Sequence, residues 1–344
     1  MKKIAIITCY FGKFPEWMQL WLNSCEINRT IDFYLITDSD LSGYSIGDNV
    51  HCMKETLEGL RKKISEALGK KCVLNHPYKI CEYRPFYGLV YKDLLADYDF
   101  WGYSDVDMVF GNLRKYITDE ILQKHDRIFE VGHLSLYRNI DRINHLYLLP
   151  GAMFDWKEMI KNEHYSGYDE HTGITRICEV NHIPSYKNVV CADIDPHYRM
   201  FHMMDEDTIA GTMKLKNYEH QIFCWSKDGT FQYYLDERSQ VRKQEVSYIH
   251  FMRKFPACAD KCRNSEKYCI THKSFLPVTG DITARFILEN DYSVHGMKKK
   301  MEYAAYFIGN GIRAFRTGQF LLRVRLRLNR VKGINKRAVN RKVS

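Results

Sequence analysis

Three short apolar runs in the first third of the chain, each closed by polar residues, leave few folds open to it. Ile4 to Thr8, Ile31 to Thr37 and Tyr98 to Tyr103 read as buried strands. They end at Thr8-Cys9-Tyr10, Thr37-Asp38 and Ser104-Asp105-Val106-Asp107. Between them the period changes. Trp17, Leu20, Trp21 and Cys25 recur at helical spacing and predict a helix over Pro15 to Cys25. Leu57 to Leu68 predicts a second helix, and Tyr78 to Leu95 reads as helical on either side of Pro85, which must start or kink a segment. Strands alternating with helices imply an α/β fold with a mixed, mostly parallel sheet. Sites in such sheets lie at the carboxyl ends of the strands. A further strand-like stretch, Ile128 to Val131, leads into Gly132-His133, and beyond residue 140 the pattern is mixed and rich in loops.

Hydrophobic residues make up 45% of the 344 and aromatics 14%, a globular composition that excludes disorder, collagen and coiled coil. No apolar run is long enough to span a bilayer as a simple helix. Lys13 and Glu16 follow the first strand so closely that the N-terminus makes a poor signal peptide. Eleven cysteines, an odd number and widely spread, read as reduced thiols in a cytoplasmic protein. Cys258, Cys262, Cys269 and His272 lack the paired spacing of a structural zinc site.

Asp105-Val106-Asp107 is the motif that carries chemistry. Two carboxylates one residue apart at a strand end can converge on one divalent cation, which in turn can bridge a nucleotide diphosphate as it leaves. Alone the pattern is common, and its bland reading is a solvated turn. Here it lies between two apolar runs, Tyr98 to Tyr103 and Met108 to Gly111, where burying two carboxylates is costly unless something compensates them. The same letters resemble the D-x-D-x-[TV] motif of haloacid-dehalogenase-type phosphatases, in which the first Asp is a nucleophile. That motif normally closes the first strand of its domain, and two strand signals precede it here.

Several blocks together resemble a group of bacterial glycosyltransferase-like proteins from surface-polysaccharide (lipopolysaccharide and capsule) gene clusters. They are Lys3 to Pro15, Pro77 to Pro85 with Tyr87-Gly88, Asp99 to Asp107 with Phe110-Gly111, Gly132 to Asn139, Tyr168 to His171 and Tyr248 to Phe251. The resemblance spans roughly residues 3 to 255. It implies a GT-A-type transferase that uses a nucleotide-diphospho-sugar, UDP-linked, with Mn2+ or Mg2+. Asp105, Asp107 and His250 are then the metal candidates, an imidazole and carboxylates together suiting Mn2+. Arg253 and Lys254 would stabilise the departing diphosphate. Thr8, Tyr10 and Phe11 would line the base pocket, and Asp38 would contact uracil or ribose. Lys79 and Arg84 would face the phosphates, or else pair with Glu82. Asp169 and Glu170 are the candidates for general base or acceptor anchor; their alternative is an acid pair at a helix N-terminus. His133 either lines the acceptor cleft or is a satisfied core histidine. The acceptor would be a glycan or lipid-linked glycan. Residues 1–285 would form the catalytic domain, 1–115 holding the nucleotide sugar and 116–285 the acceptor.

Charge is unevenly spread. From Asp291 to Ser344 there are 14 Lys and Arg against two acids, a charge of +12, so that the rest carries −3 of the net +9. Residues 286–344 thus form a basic, partly amphipathic segment. Leu322 to Leu328 alternates with Arg, which fits a strand by period or a basic interfacial helix. Such a segment seeks an anionic membrane surface, which would make the protein peripheral on the inner face of the cytoplasmic membrane. No nucleic-acid-binding motif accompanies it in the body, so no specific nucleic-acid partner is expected.

Overall fold

Ile4 and Ile6 pack on one side of the first strand and Ala5 and Ile7 on the other, all at most 1% exposed. A strand buried on both faces needs a layer on each. The computed structural model describes residues 1–195, 200–204, 217–252, 257, 259–292, 296–316, 320, 321, 324 and 328. Its main sheet runs β3 (Val50–Lys54), β2 (Ile31–Thr37), β1 (Ile4–Tyr10), β4 (Phe100–Ser104), β7 (Leu134–Arg138), β6 (Arg127–Val131) and β8 (Ser185–Tyr186). Strands β3, β2, β1 and β4 are parallel, as are β6 and β8, while β7 runs antiparallel to both its neighbours. The fold is α/β with a mixed, mostly parallel sheet, as the alternating pattern implies.

The helix Met18–Glu26 covers one face and buries Leu20, Trp21 and Cys25, the predicted stripe. The helix Leu57–Leu68 covers the other with Leu60, Ile64 and Leu68. Its ends match the sequence reading because local chemistry sets them. Thr56 accepts a hydrogen bond from Gly59 N at 2.9 Å, and Gly69 closes the last turn at φ +61°. The stretch from Tyr78 to Leu95 differs from expectation. It is a 3-10 segment, Pro77–Phe86, followed by one α-helical turn, Tyr87–Val90. Pro85 lacks the N–H that an α-helical ladder needs there.

After β4 the chain leaves the main sheet. It turns through Asp105-Val106-Asp107 into β5 (Met108–Phe110), the edge of a second sheet ordered β10 (Met200–Met203), β9 (Ala192–Asp195), β14 (Tyr248–His250), β5. A third, antiparallel sheet runs β13 (Val241–Val246), β12 (Gly229–Leu235), β11 (Gln221–Ser226), β15 (Lys267–Ile270), β16 (Phe275–Pro277). Trp225 Nε1 ties it to the second by donating to Phe110 O at 3.0 Å.

Cys224 and Cys269 stand opposite each other on β11 and β15 and form a disulfide. This corrects the reading of all cysteines as reduced thiols. The two are 45 residues apart, and only strand register brings them together. Beyond the helix Ala284–Asn290, which packs Ile287 on the third sheet, comes a helix over Gly296–Arg316. Of Leu322 to Leu328, Val324 and Leu328 are helical and the other five lie outside the described residues. No helix among the described residues is long and apolar enough to cross a membrane.

Candidate functional site

Strand β1 has β2 on one side and β4 on the other, so the chain order reverses between β1 and β4. A crevice at the carboxyl ends of such strands is where α/β sheets bind ligands. Thr8 of β1 and Ser104 of β4 close its floor, their hydroxyl oxygens 2.8 Å apart. Asp105-Val106-Asp107 follows directly. Val106 is buried, Asp107 is 6% exposed and Asp105 is half-buried.

The second sheet carries His250 to the same place. Strand β14 pairs with β5 so that His250 lies opposite Met108, and Phe251 N donates to Asp107 O at 3.0 Å. His250 Nε2 is 3.7 Å from Asp107 Oδ1. Its Nδ1 is 2.7 Å from Asp193 Oδ1, on β9, which pairs parallel to β14 at Ile249 and Ala192. A carboxylate holding one imidazole nitrogen leaves the other aimed at a metal. One ligand atom from each of Asp105, Asp107 and His250 lies within 4.8 Å of the others. Two carboxylates and an oriented imidazole are a donor set suited to Mn2+ and acceptable to Mg2+. Burial opposes a charge on His250, but Asp193 and Asp107 push its pKa well above the usual imidazole value.

Arg84 joins this group to the acid pair. Its guanidinium donates to Asp105 Oδ1 and, at 2.7 Å, to Gly132 O, and it lies 3.7 Å from Asp169 Oδ2. The Tyr103 ring sits under it, with a centroid distance of 5.2 Å. Asp169 is buried, and its Oδ1 accepts from Tyr165 Oη at 2.9 Å. Burial and the neighbouring Glu170 charge raise its pKa well above the usual range, and burial also raises that of Glu170. Glu170 lies against Gly132, where a Cβ would fall 1.7 Å from its Oε1, so a side chain there would displace the carboxylate. Glu82 organises the loop that precedes them. Its carboxylate accepts from Ser166 N at 3.0 Å, Ser166 Oγ at 2.6 Å and Tyr168 N at 2.8 Å. The acid pair is therefore held in a buried turn beside the D-x-D rather than at a helix end.

The remaining expected residues divide. Lys79 is a correction: it is fully buried, and its ammonium donates to Glu82 Oε2, Met159 O and His164 O at 3.0 to 3.2 Å. With three protein acceptors it has nothing left for a phosphate. Phe11 is buried, 6% exposed, in the core cluster that also holds Ile7, Ile36 and Tyr83. Tyr10 is half-buried, stacks at a tilt on Phe14 and donates from its hydroxyl to Lys13 O at 3.2 Å. Asp38 is exposed and accepts from Gly12 N at 2.9 Å, fixing the turn where Gly12 takes φ +90°. Arg253 and Lys254 lie outside the described residues. His133 is a satisfied buried histidine. Its Nε2 meets Tyr248 Oη at 2.9 Å, its ring stacks on His250, and burial, with His250, pulls its pKa down to about 3.

The profile of a family of unknown function (DUF6625) matches residues 6–279, some four-fifths of the chain and every described site residue above. The chain belongs to that family. No curated protein matches this DUF6625 member in sequence. Among solved structures it is similar to the glycosyltransferase GlyE of Streptococcus pneumoniae TIGR4 at 12% identity, over 55% of this chain and 45% of that one, with a TM-score of 0.31. It thus spans about half the length of GlyE. The galactosyltransferase LgtC, crystallised with donor and acceptor sugar analogues, is similar at 11% identity over 55% and 75% of the two chains (TM-score 0.31). Mouse xyloside xylosyltransferase 1 is similar at 9% identity over 74% and 100% (TM-score 0.41). These likenesses are too distant for any residue role to be carried across.

Asp193 escaped the sequence reading. It ends an apolar run, Val189 to Ala192, and so carries the same strand-end signal as Asp38 and Asp105, inside a region whose pattern reads as loop-rich.

Proposed function

We propose that this DUF6625 protein is a GT-A-like, metal-dependent glycosyltransferase that moves a hexose from a UDP-sugar to a hydroxyl of a bacterial surface-glycan acceptor. One observation carries the reading: two carboxylates at the topological switch point of an α/β sheet, with an oriented imidazole brought to them by a second sheet. Asp105, Asp107 and His250 would hold Mn2+ or Mg2+. The cation, when bound, supplies neutralisation of the diphosphate charge.

The chain's own groups supply the rest. Arg84 balances Asp105 and Asp169, and it would be placed to meet phosphate oxygens once a cation takes over Asp105. The acceptor oxygen forms a bond to the anomeric carbon, the bond from that carbon to the diphosphate breaks, and UDP departs. In an inverting reaction Glu170 takes the hydroxyl proton. Burial raises its pKa, as a general base at neutral pH needs, and it is less enclosed than Asp169. Asp169, held by Arg84 and Tyr165, positions the pair. A retaining reaction would leave Glu170 as an acceptor anchor. Residues 1–285 would form the catalytic domain, and a lipid-linked acceptor would place the protein at a membrane surface.

Calorimetric titration of UDP with and without Mn2+ tests the reading. Binding is expected only with the metal, and Asp107→Ala is expected to abolish it with the circular dichroism unchanged. UDP binding that ignores both Mn2+ and Asp107→Ala would remove the D-x-D from the site. Phosphate release from monoesters without nucleotide binding would replace the transferase by a phosphatase.

A further inference from the structure

The helix Gly296–Arg316 is built inside out for a globular protein. At 100° per residue, Met297, Met301, Ile308, Ile312 and Phe315 fall on one stripe about 60° wide, with Ala304 and Ala305 at its margins. A soluble protein turns such a stripe to its core. Here those five side chains are 75%, 66%, 64%, 50% and 77% exposed. The opposite line, Glu302, Tyr306, Asn310 and Ala314, is the shielded one, and Ala314 is only 2% exposed. Tucking in the less apolar line while presenting methionines, isoleucines and phenylalanine to the outside is unfavourable in water. An exposed contiguous apolar face of this kind marks a contact surface.

The charges say what it contacts. Lys298 and Arg316 project along one edge of the stripe and Lys300 along the other, all exposed where described. Lys299 and Arg313 complete five basic residues on the helix against one acid, Glu302. A second copy of the helix laid on the stripe would bring basic edges against basic edges, which opposes pairing. An anionic bilayer accepts both: acyl chains take the stripe, and the basic edges reach the headgroups with their aliphatic stems on the apolar side. The helix is about 31 Å long, and the charges around its circumference forbid crossing. Phe320, Leu321, Val324 and Leu328 extend the exposed apolar residues beyond Arg316.

We infer that Gly296–Arg316 is an interfacial helix that lies in the plane of an anionic lipid surface with Met297, Met301, Ile308, Ile312 and Phe315 inserted. The inference stands on the helix alone and does not depend on the transferase reading, because it is tested without nucleotide, sugar or metal.

The test is sedimentation of the full chain with vesicles of phosphatidylcholine alone and of phosphatidylcholine with phosphatidylglycerol. The wild type is expected to pellet with the anionic vesicles at least tenfold more than with the neutral ones. Ile308→Asp with Ile312→Asp, two exposed positions whose replacement leaves the body folded, is expected to lower that binding at least tenfold. A variant that binds like the wild type would assign attachment to bulk positive charge and overturn the insertion. No vesicle binding, with a dimer in light scattering that the same variant dissolves, would give the stripe to a second copy instead.

Discussion

At the scale of single residues, the site rests on partners as much as on candidate ligands. Asp193 is not among the residues expected to hold the metal, yet its 2.7 Å contact fixes which nitrogen of His250 faces Asp107. Asp193→Asn keeps the shape and removes the charge. It is expected to weaken Mn2+ binding about 10- to 100-fold, read by electron paramagnetic resonance of free Mn2+; an unchanged affinity would show that His250 stays outside the coordination sphere. The residues legible from sequence were those at strand ends, where chain direction alone sets position: Asp105, Asp107 and, by its block, His250. Lys79 and Arg84 show the limit. They are five residues apart in one segment, and the sequence offers both the same alternatives. Only the fold sends Arg84 toward Asp105 and Lys79 into the protein, where it satisfies Glu82 and two carbonyls. Removing one partner of such a buried pair leaves the other uncompensated, which makes Lys79 and Glu82 a structural unit beneath the acid pair.

Among elements, β5 is the short strand on which two sheets meet, and Gly111 is why they can meet closely. A Cβ there would stand 2.3 Å from Thr230 Oγ1 and 2.9 Å from both Thr230 N and Val246 O. Two of these three atoms are backbone and cannot swing aside. Gly111→Ala is therefore expected to cost about 1–3 kcal/mol by forcing β5 away from β12 and β13, measured by urea denaturation; a change within a few tenths would mean that the sheets are not in register as described. The helix Leu57–Leu68 was readable to the residue, because the determinants of its ends, Thr56 and Gly69, lie within one turn of them. The second and third sheets were not, because their strands are short and pair with partners far along the chain, so local period says little about them. Even so, Val189 to Ala192 bore the same signature as the strands that were found.

For the molecule as a whole, the third sheet is closed by Cys224 and Cys269, which restrict a 45-residue span of the unfolded chain. Replacing both by alanine is expected to lower stability by about 2–4 kcal/mol. The check is thermal unfolding with and without reductant: the wild type should fall to the level of the double variant when reduced, and a reductant-insensitive wild type would contradict the bond. The antiparallel contact of β5 with β14 has a consequence of another kind, in the order of events during synthesis. Its two strands are separated by about 140 residues. At roughly 5–20 residues per second, on the order of ten seconds pass between the emergence of Asp107 and that of His250. Through that interval the nascent chain carries two carboxylates at a strand end and no imidazole to complete them. The catalytic centre proposed here thus cannot form before the second sheet has its last strand, β14.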